Sequence, residues 1–351
     1  MKKNSKKILS LLLAMLMVLS LCACGQQDAD SSASDPAGEE AVANEDASYN
    51  WTFTTALVDD HPLSQGMLKF AELLSEESGG RITAEVYTGG SLGGDVDLME
   101  QLAAGLIDAH STTTTFAANY VPSIGVFDLP YIFKDEEHLD AVAQSDIFQA
   151  EMDKLDGTGI KVLCDLAFGY RNVTANKEIH VPDDMKSVKI RLVESDVMTK
   201  MFSAVGAIPT VMAFSELYTA LQNGTVDAQE NPTFTIYLSN FDEVQDYVIL
   251  TQHCYNIGAI YFSEAVFNSL SQEDQELVMK CAQEAREWQY AYAKQIEADS
   301  LEALKTGGNT TVIELTAEEK EQWISAMTTI YPDFYDLCGE DLINQIINFE
   351  Y

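Results

Sequence analysis

Between Trp51 and Ser111 the chain alternates strand-like and helical apolar patterns, joined by links of only a few residues. Trp51 to Val58 is strand-like. His61-Pro62 opens a helical pattern with Met67, Phe70, Ala71, Leu73 and Leu74 on one face, and Gly79-Gly80 stops it. Arg81 to Tyr87 alternates as a strand and Thr88 to Gly94 is a loop. Asp95 to Ala104 is helical up to Gly105, and Ile107 to Ser111 begins the next strand. Elements alternating this closely predict an α/β lobe with mostly parallel pairing.

A second cycle begins near residue 160. Lys161 to Leu166 and Lys189 to Val193 read as strands. Ser195 to Ala204 and Ser215 to Gln222 read as helices, the latter ended by Asn223-Gly224, and Val226 to Gln229 starts another strand. Ser271 to Ala303 is one long helical pattern, broken at most once, capped by Ser271 and ended by Gly307-Gly308. Its expected core stripe is Leu277, Cys281, Ala285, Trp288 and Tyr292. At 1.5 Å per residue it reaches about 50 Å, longer than one lobe, so it is expected to pack across two. The 351 residues suffice for two lobes of ordinary size, and no internal repeat is visible.

The N-terminus points to export. Lys2, Lys3, Lys6 and Lys7 precede an apolar run, 8–21, that is too short for a spanning helix. Leu21-Cys22-Ala23-Cys24 resembles a bacterial lipoprotein cleavage site, which implies a signal peptide over 1–23 and lipidation of Cys24. Cys22 fits less well because bulky Leu21 precedes it. Residues 24–48 are acidic, small and free of aromatics up to Ser48, the composition of a disordered tether. The expected location is therefore the outer face of the cell membrane, held by a lipid.

Charge excludes one class of partner. The chain has 20 Lys+Arg against 56 Asp+Glu. Without the four N-terminal lysines, 16 bases face 56 acids, a formal charge of −40. Nucleic-acid binding needs clustered cations and is not expected. Four cysteines remain beyond the leader, Cys164, Cys254, Cys281 and Cys338. None is in a CxxC pair, so buried free thiols are expected.

Enzyme signatures dissolve on inspection. Gly89-Gly90-Ser91-Leu92-Gly93 matches G-x-S-x-G literally, but its glycines suit a flexible loop better than a nucleophile elbow. There is no Walker loop, no G-x-G-x-x-G and no metal spacing among the five histidines, so neither cofactor nor metal is expected. The four arginines are more telling. Arg171 and Arg191 sit at or just beyond strands of the second cycle, where ligands of open parallel sheets bind. In so acidic a chain an anion needs a local cation, and a guanidinium fork matches a carboxylate. The plainer reading pairs each arginine with one of the many acids. Asp60 and His61 stand either at a cleft mouth or as caps of the first helix.

The stretch 206–232, GAIPTVMAFSELYTALQNGTVDAQENP, closely resembles the signature of solute receptors of tripartite ATP-independent periplasmic (TRAP) transporters, dicarboxylate-receptor (DctP) type. SLGGDVDLMEQLAAGLIDA (91–109), FDLPYIFKDEEH (127–138), GYRNVTANK (169–177), DDMKSVKIRLVES (183–195) and FDEVQDYVILTQH (241–253) match in the same order, so the likeness covers about 50–350. It implies a two-lobed periplasmic-binding-protein-like α/β fold, type II-like, with mixed, mostly parallel sheets, closing over a small organic acid. Residues 49–168 with 256–285 would form one lobe and 169–255 with 309–351 the other, with 271–306 as the helix spanning them.

The resemblance also assigns roles. Arg191 falls on the family's carboxylate-binding arginine and Arg171 on its second. Asn231 of Gln-Glu-Asn-Pro falls on a polar ligand contact, and Phe214 on the aromatic that packs against the ligand. Asp95 resembles a polar contact of some members. Each has a plainer alternative: a turn at Asn231-Pro232, core packing for Phe214, a helix cap for Asp95. The acid and arginine of sialic-acid receptors are replaced near Thr113 to Phe116, which argues against that ligand. The implied partners are an organic acid and the sodium-driven permease subunits. A receptor for an ATP-driven importer and a lipid-anchored hydrolase are the alternatives.

Overall fold

The computed structural model describes residues 48–351. The expected signal peptide, Cys24 and all of the expected tether except Ser48 lie outside the described residues.

Among the described residues nine strands form the sheet: β1 (Tyr49–Thr54), β2 (Ile82–Tyr87), β3 (Ala109–Thr113), β4 (Ile160–Ala175), β5 (Lys189–Leu192), β6 (Ile208–Val211), β7 (Ala228–Pro232), β8 (Tyr247–Ser263) and β9 (Thr311–Ile313). Their order is β2-β1-β3-β8-β4-β7-β5-β6, with β9 on β8. The first cycle folds as its pattern predicts. β1 pairs in parallel with β2 and β3, and helix α1 (Pro62–Glu77) and helix α2 (Asp95–Ala103) make the crossovers. The second cycle repeats this with β5 parallel to β6 and β7.

The two cycles are joined by antiparallel pairing. β3 pairs with β8, β8 with β4, and β4 with β7. β4 and β8 run through both halves, at 16 and 17 residues. The pattern predicts only Lys161 to Leu166 of β4 and no element at all over 247–263. Polar residues explain the difference. Asp165, Arg171, Asn172 and Asn256 interrupt the apolar alternation, yet all are buried and paired inside the fold. Register shifts at Val162/Cys164, Ala167/Gly169 and Arg171/Val173 break the period of two as well. Gly169, at φ +107°, is needed at the second: a Cβ there would lie 3.2 Å from the Phe234 ring and 3.3 Å from Pro232.

The long helix is continuous over Gln272–Gly307, about 54 Å at the α-helical rise. Ser271 caps it through the Asp274 amide, and Gly308 ends it in the left-handed conformation. Its buried face is not quite the expected stripe. Cys281 and Ala285 are buried, but Trp288 is 38% exposed and stacks on Tyr292 at the surface. The residue turned inward is Gln289, whose amide accepts from Ala167 N (2.9 Å) and donates to Ala167 O (2.8 Å). It serves backbone groups of β4 beside the bulge, where a Trp could not. Gly66 of α1 lets this helix approach, since a Cβ there would meet Gln289 Cγ at 2.8 Å.

Three apolar clusters hold the fold. One joins α1, β1, β2 and the start of the long helix. A second lies under the helix Phe214–Gln222. The largest runs from α2 through the middle of the sheet to Trp323 and Ile346. Cys164, Cys254, Cys281 and Cys338 are free and buried.

Candidate ligand-binding site

A cavity of about 400 Å³ opens where β3, β4, β5 and β7 converge with the start of α2. Its walls include Asp95, Asp97, Thr112, Thr113, Phe116, Phe168, Arg171, Arg191, Glu194, Phe214 and Asn231. Asp95, Arg171, Arg191, Phe214 and Asn231 are thus brought together from segments up to 136 positions apart, Asp95 to Asn231. The expected contact His61, and Asp60 beside it, are outside the lining.

Three of the four arginines are matched to carboxylates. Arg81 binds Asp274, Arg286 binds Asp165 and Asp140, and Arg171 binds Glu230. Arg191 is the exception. It is 3% exposed and makes no ion pair with any described residue. Its Nε and Nη2 both donate to the Met212 carbonyl, at 3.0 and 2.8 Å, so Nη1 has no acceptor among the described residues. β5 sets this geometry: Arg191 registers with Thr210 on β6 and Gln229 on β7, which fixes its backbone centrally. Phe214 flanks the guanidinium, its ring centre 5.8 Å from Cζ. Burial lowers the Arg191 pKa to about 10; Glu230 and Asp95 work against that and Arg171 adds to it. It therefore stays a cation at neutral pH, buried in the wall with no ion-paired carboxylate among the described residues.

Arg171 lies on the same wall but is already paired with a carboxylate. Its Nε and Nη2 grip both oxygens of Glu230, Nη2 also reaches Glu230 O and Asn231 Oδ1, and Nη1 donates to Asn256 Oδ1 at 2.8 Å. Burial alone pushes the Glu230 carboxyl up. Arg171 and a donor from His253 outweigh it and hold Glu230 well below the usual range. Asn231 is tied on both sides, accepting from Arg171 and donating to Gln229 Oε1 at 2.6 Å.

Asp95 opens α2 and its Oδ1 lies 3.2 Å from His110 Nε2. The His110 ring is fully buried, with Nδ1 3.0 Å from Thr54 Oγ1. His61 is the N-cap of α1: its Nδ1 accepts from Leu63 N, and Nε2 sits 3.0 Å from Thr235 Oγ1. Burial lowers its pKa to about 3, so the ring is neutral. It packs on Phe168 and Phe234 at 5.6 and 5.1 Å, and so braces Phe168 behind the cavity. Asp60 is exposed, and its carbonyl accepts from Tyr292 Oη.

Sequence reasoning offered none of Thr112, Thr113, Phe116, Phe168, Asp97 and Glu194 as a ligand contact, and weighed Thr113 to Phe116 only as the place where the acid and arginine of sialic-acid receptors are replaced. Their signal is position: Thr112 and Thr113 end a strand at the C-terminal edge of the first parallel unit. The Gly89–Gly93 loop carries positive φ at Gly89, Gly90 and Gly93, and exposed Ser91 has no acid or histidine partner among the described residues. No group of metal-ligating side chains occurs among them either.

The chain matches the bacterial extracellular solute-binding protein, family 7 (DctP), over residues 53–337. A C4-dicarboxylate-binding periplasmic protein of Rhodobacter capsulatus is 32% identical over 292 residues, 83% of this chain and 88% of that protein. Among solved structures, a TRAP periplasmic solute-binding protein from Sulfurospirillum deleyianum with bound succinate superposes with TM-score 0.82 at 32% identity, covering 87% of this chain and all of that one. A sugar-acid-binding protein from Advenella mimigardefordensis in complex with galactonate gives 0.83 at 31%, covering 86% and 97%. With its α/β fold, mixed sheet and lined cavity, this chain belongs to the family 7 bacterial extracellular solute-binding proteins of TRAP transporters.

Proposed function

We propose that this protein is an extracytoplasmic receptor that binds a small organic acid through its carboxylate and delivers it to the sodium-coupled permease of a TRAP transporter. The observation that carries the reading is Arg191, a buried guanidinium with no carboxylate of its own and one nitrogen open to the cavity. A carboxylate there completes the charge balance that the other three arginines already have. Arg171, Asn231, Phe214 and Asp95 complete the binding wall, with Arg171 positioning rather than gripping. The succinate and galactonate held by relatives support an organic acid as ligand.

The lobes of this reading are 49–168 with 256–285 and 169–255 with 309–351, with the long helix spanning them. The cavity lies between them: Asp95, Thr112 and Phe168 belong to the first, Arg171, Arg191, Phe214 and Asn231 to the second. β4 and β8, which pass from one to the other, form the hinge about which a bound acid draws the lobes together. The test is a thermal-shift screen of organic acids, with each acid assayed afterwards for chemical change. A receptor is stabilised in a concentration-dependent way and leaves its ligand intact. Conversion of the acid to product overturns the reading.

Anchoring is part of the same proposal. No helix among the described residues is long and apolar enough to cross a membrane, and acylated Cys24 supplies the attachment. Cys24→Ser is expected to release the protein into the soluble fraction, followed by palmitate labelling and membrane fractionation. Unchanged co-sedimentation with membranes counts against the lipid.

A further inference from the structure

We infer that the ligand has a single carboxylate and a body rich in hydroxyl donors, so that the site selects a hydroxylated monocarboxylate over a dicarboxylate. This rests on the carboxylate-receptor reading above. Overall likeness does not decide the matter, since a succinate-bound and a galactonate-bound structure resemble this chain equally well, at 32% and 31% identity. The charges on the cavity wall do.

The cations among the lining residues are Arg171 and Arg191. Arg171 is neutralised by Glu230, with both carboxylate oxygens engaged. One unspent cation remains, Arg191, and it seats one carboxylate. The other charged lining residues are Asp95, Asp97 and Glu194, all acids. A second carboxylate would have to lie against them. The start of α2 offers backbone N–H groups, worth about half a positive charge at a helix N-terminus. Two full negative charges in the same first turn, Asp95 and Asp97, outweigh it.

Asp95 is built as an acceptor. Its Oδ1 faces His110 Nε2 at 3.2 Å, and a carboxylate oxygen there requires that nitrogen to be the donor. His110 Nδ1 is held in turn by Thr54 at 3.0 Å in a fully buried pocket, so the imidazole pins the carboxylate in place. Oδ2 has no partner among the described residues. Thr112 and Thr113 are also among the lining residues, and neither hydroxyl has a hydrogen bond with a described residue. A fixed acceptor beside two adaptable hydroxyls matches hydroxyl groups on the ligand body. Phe116, Phe168 and Phe214 cover its carbon faces.

The experiment is calorimetry on the full mature protein with erythronate, galactonate and gluconate against succinate, malate and fumarate. Galactitol and 4-aminobutyrate serve as controls. The best hydroxylated monocarboxylate is expected to bind at least about 30-fold more tightly than any dicarboxylate. Asp95→Asn, checked for fold by circular dichroism, is expected to weaken that acid by roughly tenfold and to strengthen succinate, closing the gap. Succinate binding to wild type as tightly as the best monocarboxylate overturns this inference and leaves the carboxylate receptor standing. So does 4-aminobutyrate outranking every hydroxylated acid, which would make the tail a cation. Galactitol binding as well as galactonate, or no acid binding at all, overturns the receptor reading too.

Discussion

Arg191→Ala, still folded by circular dichroism, is expected to bind its acid roughly 30- to 4,000-fold more weakly than wild type in calorimetry. The range follows from about 2–5 kcal/mol for truncating one partner of a buried, hydrogen-bonded charge pair, at 1.4 kcal/mol per decade. A carboxylate entering this cavity gives up its hydration next to a strongly acidic body, and Arg191 is the one lining cation without a carboxylate partner. Arg191→Lys is expected to fall nearly as far. Nε and Nη2 of Arg191 are spent on Met212 O while Nη1 remains for the ligand, a division of labour that a single ammonium cannot reproduce. Binding within threefold of wild type by folded Arg191→Ala would make Arg191 structural and sink the carboxylate mechanism.

Glu230→Ala should damage the protein in a different way, by destabilising the fold. The substitution leaves Arg171, 3% exposed, with amide and carbonyl acceptors but no carboxylate in direct contact. Breaking a buried pair on one side costs about 3–5 kcal/mol. For a chain of this size that corresponds to a fall in Tm of order ten degrees. Replacing Arg171 and Glu230 together by apolar residues is expected to recover part of the loss, because no uncompensated charge is then buried. The pair also predicts acid sensitivity. The folded Glu230 pKa is depressed, so its stabilisation is complete above the unfolded value, about 4.3, and is lost as pH falls below it. Glu230→Ala should lack that component of the acid limb in thermal unfolding followed from pH 6 to pH 3. A Tm within two degrees of wild type, or an unchanged acid limb, would show that the pair contributes nothing.

These two residues mark how far the sequence could be read. Arg191 stands out in the chain because arginines are scarce in it and because the Lys-Ile-Arg segment resembles a known signature. Its isolation from carboxylates does not stand out, since any of 56 acids was an available partner. Arg171 looks like its equal in the sequence. Its partner Glu230 is 59 positions away and reaches it only because β4 pairs antiparallel with β7. His61 was open to two readings, and the capping one describes its surroundings: the ring is buried against Phe168 and Phe234, not at the cavity. His110 beneath Asp95 carries no sequence signal at all.

The same boundary runs through the fold. Helix starts at His61-Pro62 and Ser271, stops at Gly79-Gly80 and Gly308, and the two strand–helix cycles were legible without the fold. They depend on capping, glycine freedom and apolar period, all of which act within one or two turns of chain. The through-running strands β4 and β8, the inward turn of Gln289 in place of Trp288, and the pairing of three arginines but not the fourth were decided by the tertiary structure alone. A buried polar group looks like a surface residue until its partner is known. Here each partner lies on another element, dozens to more than a hundred residues away. Local pattern determined which segments fold and where they end; long-range pairing decided which polar groups they hide and that Arg191 is left without a carboxylate partner among the described residues.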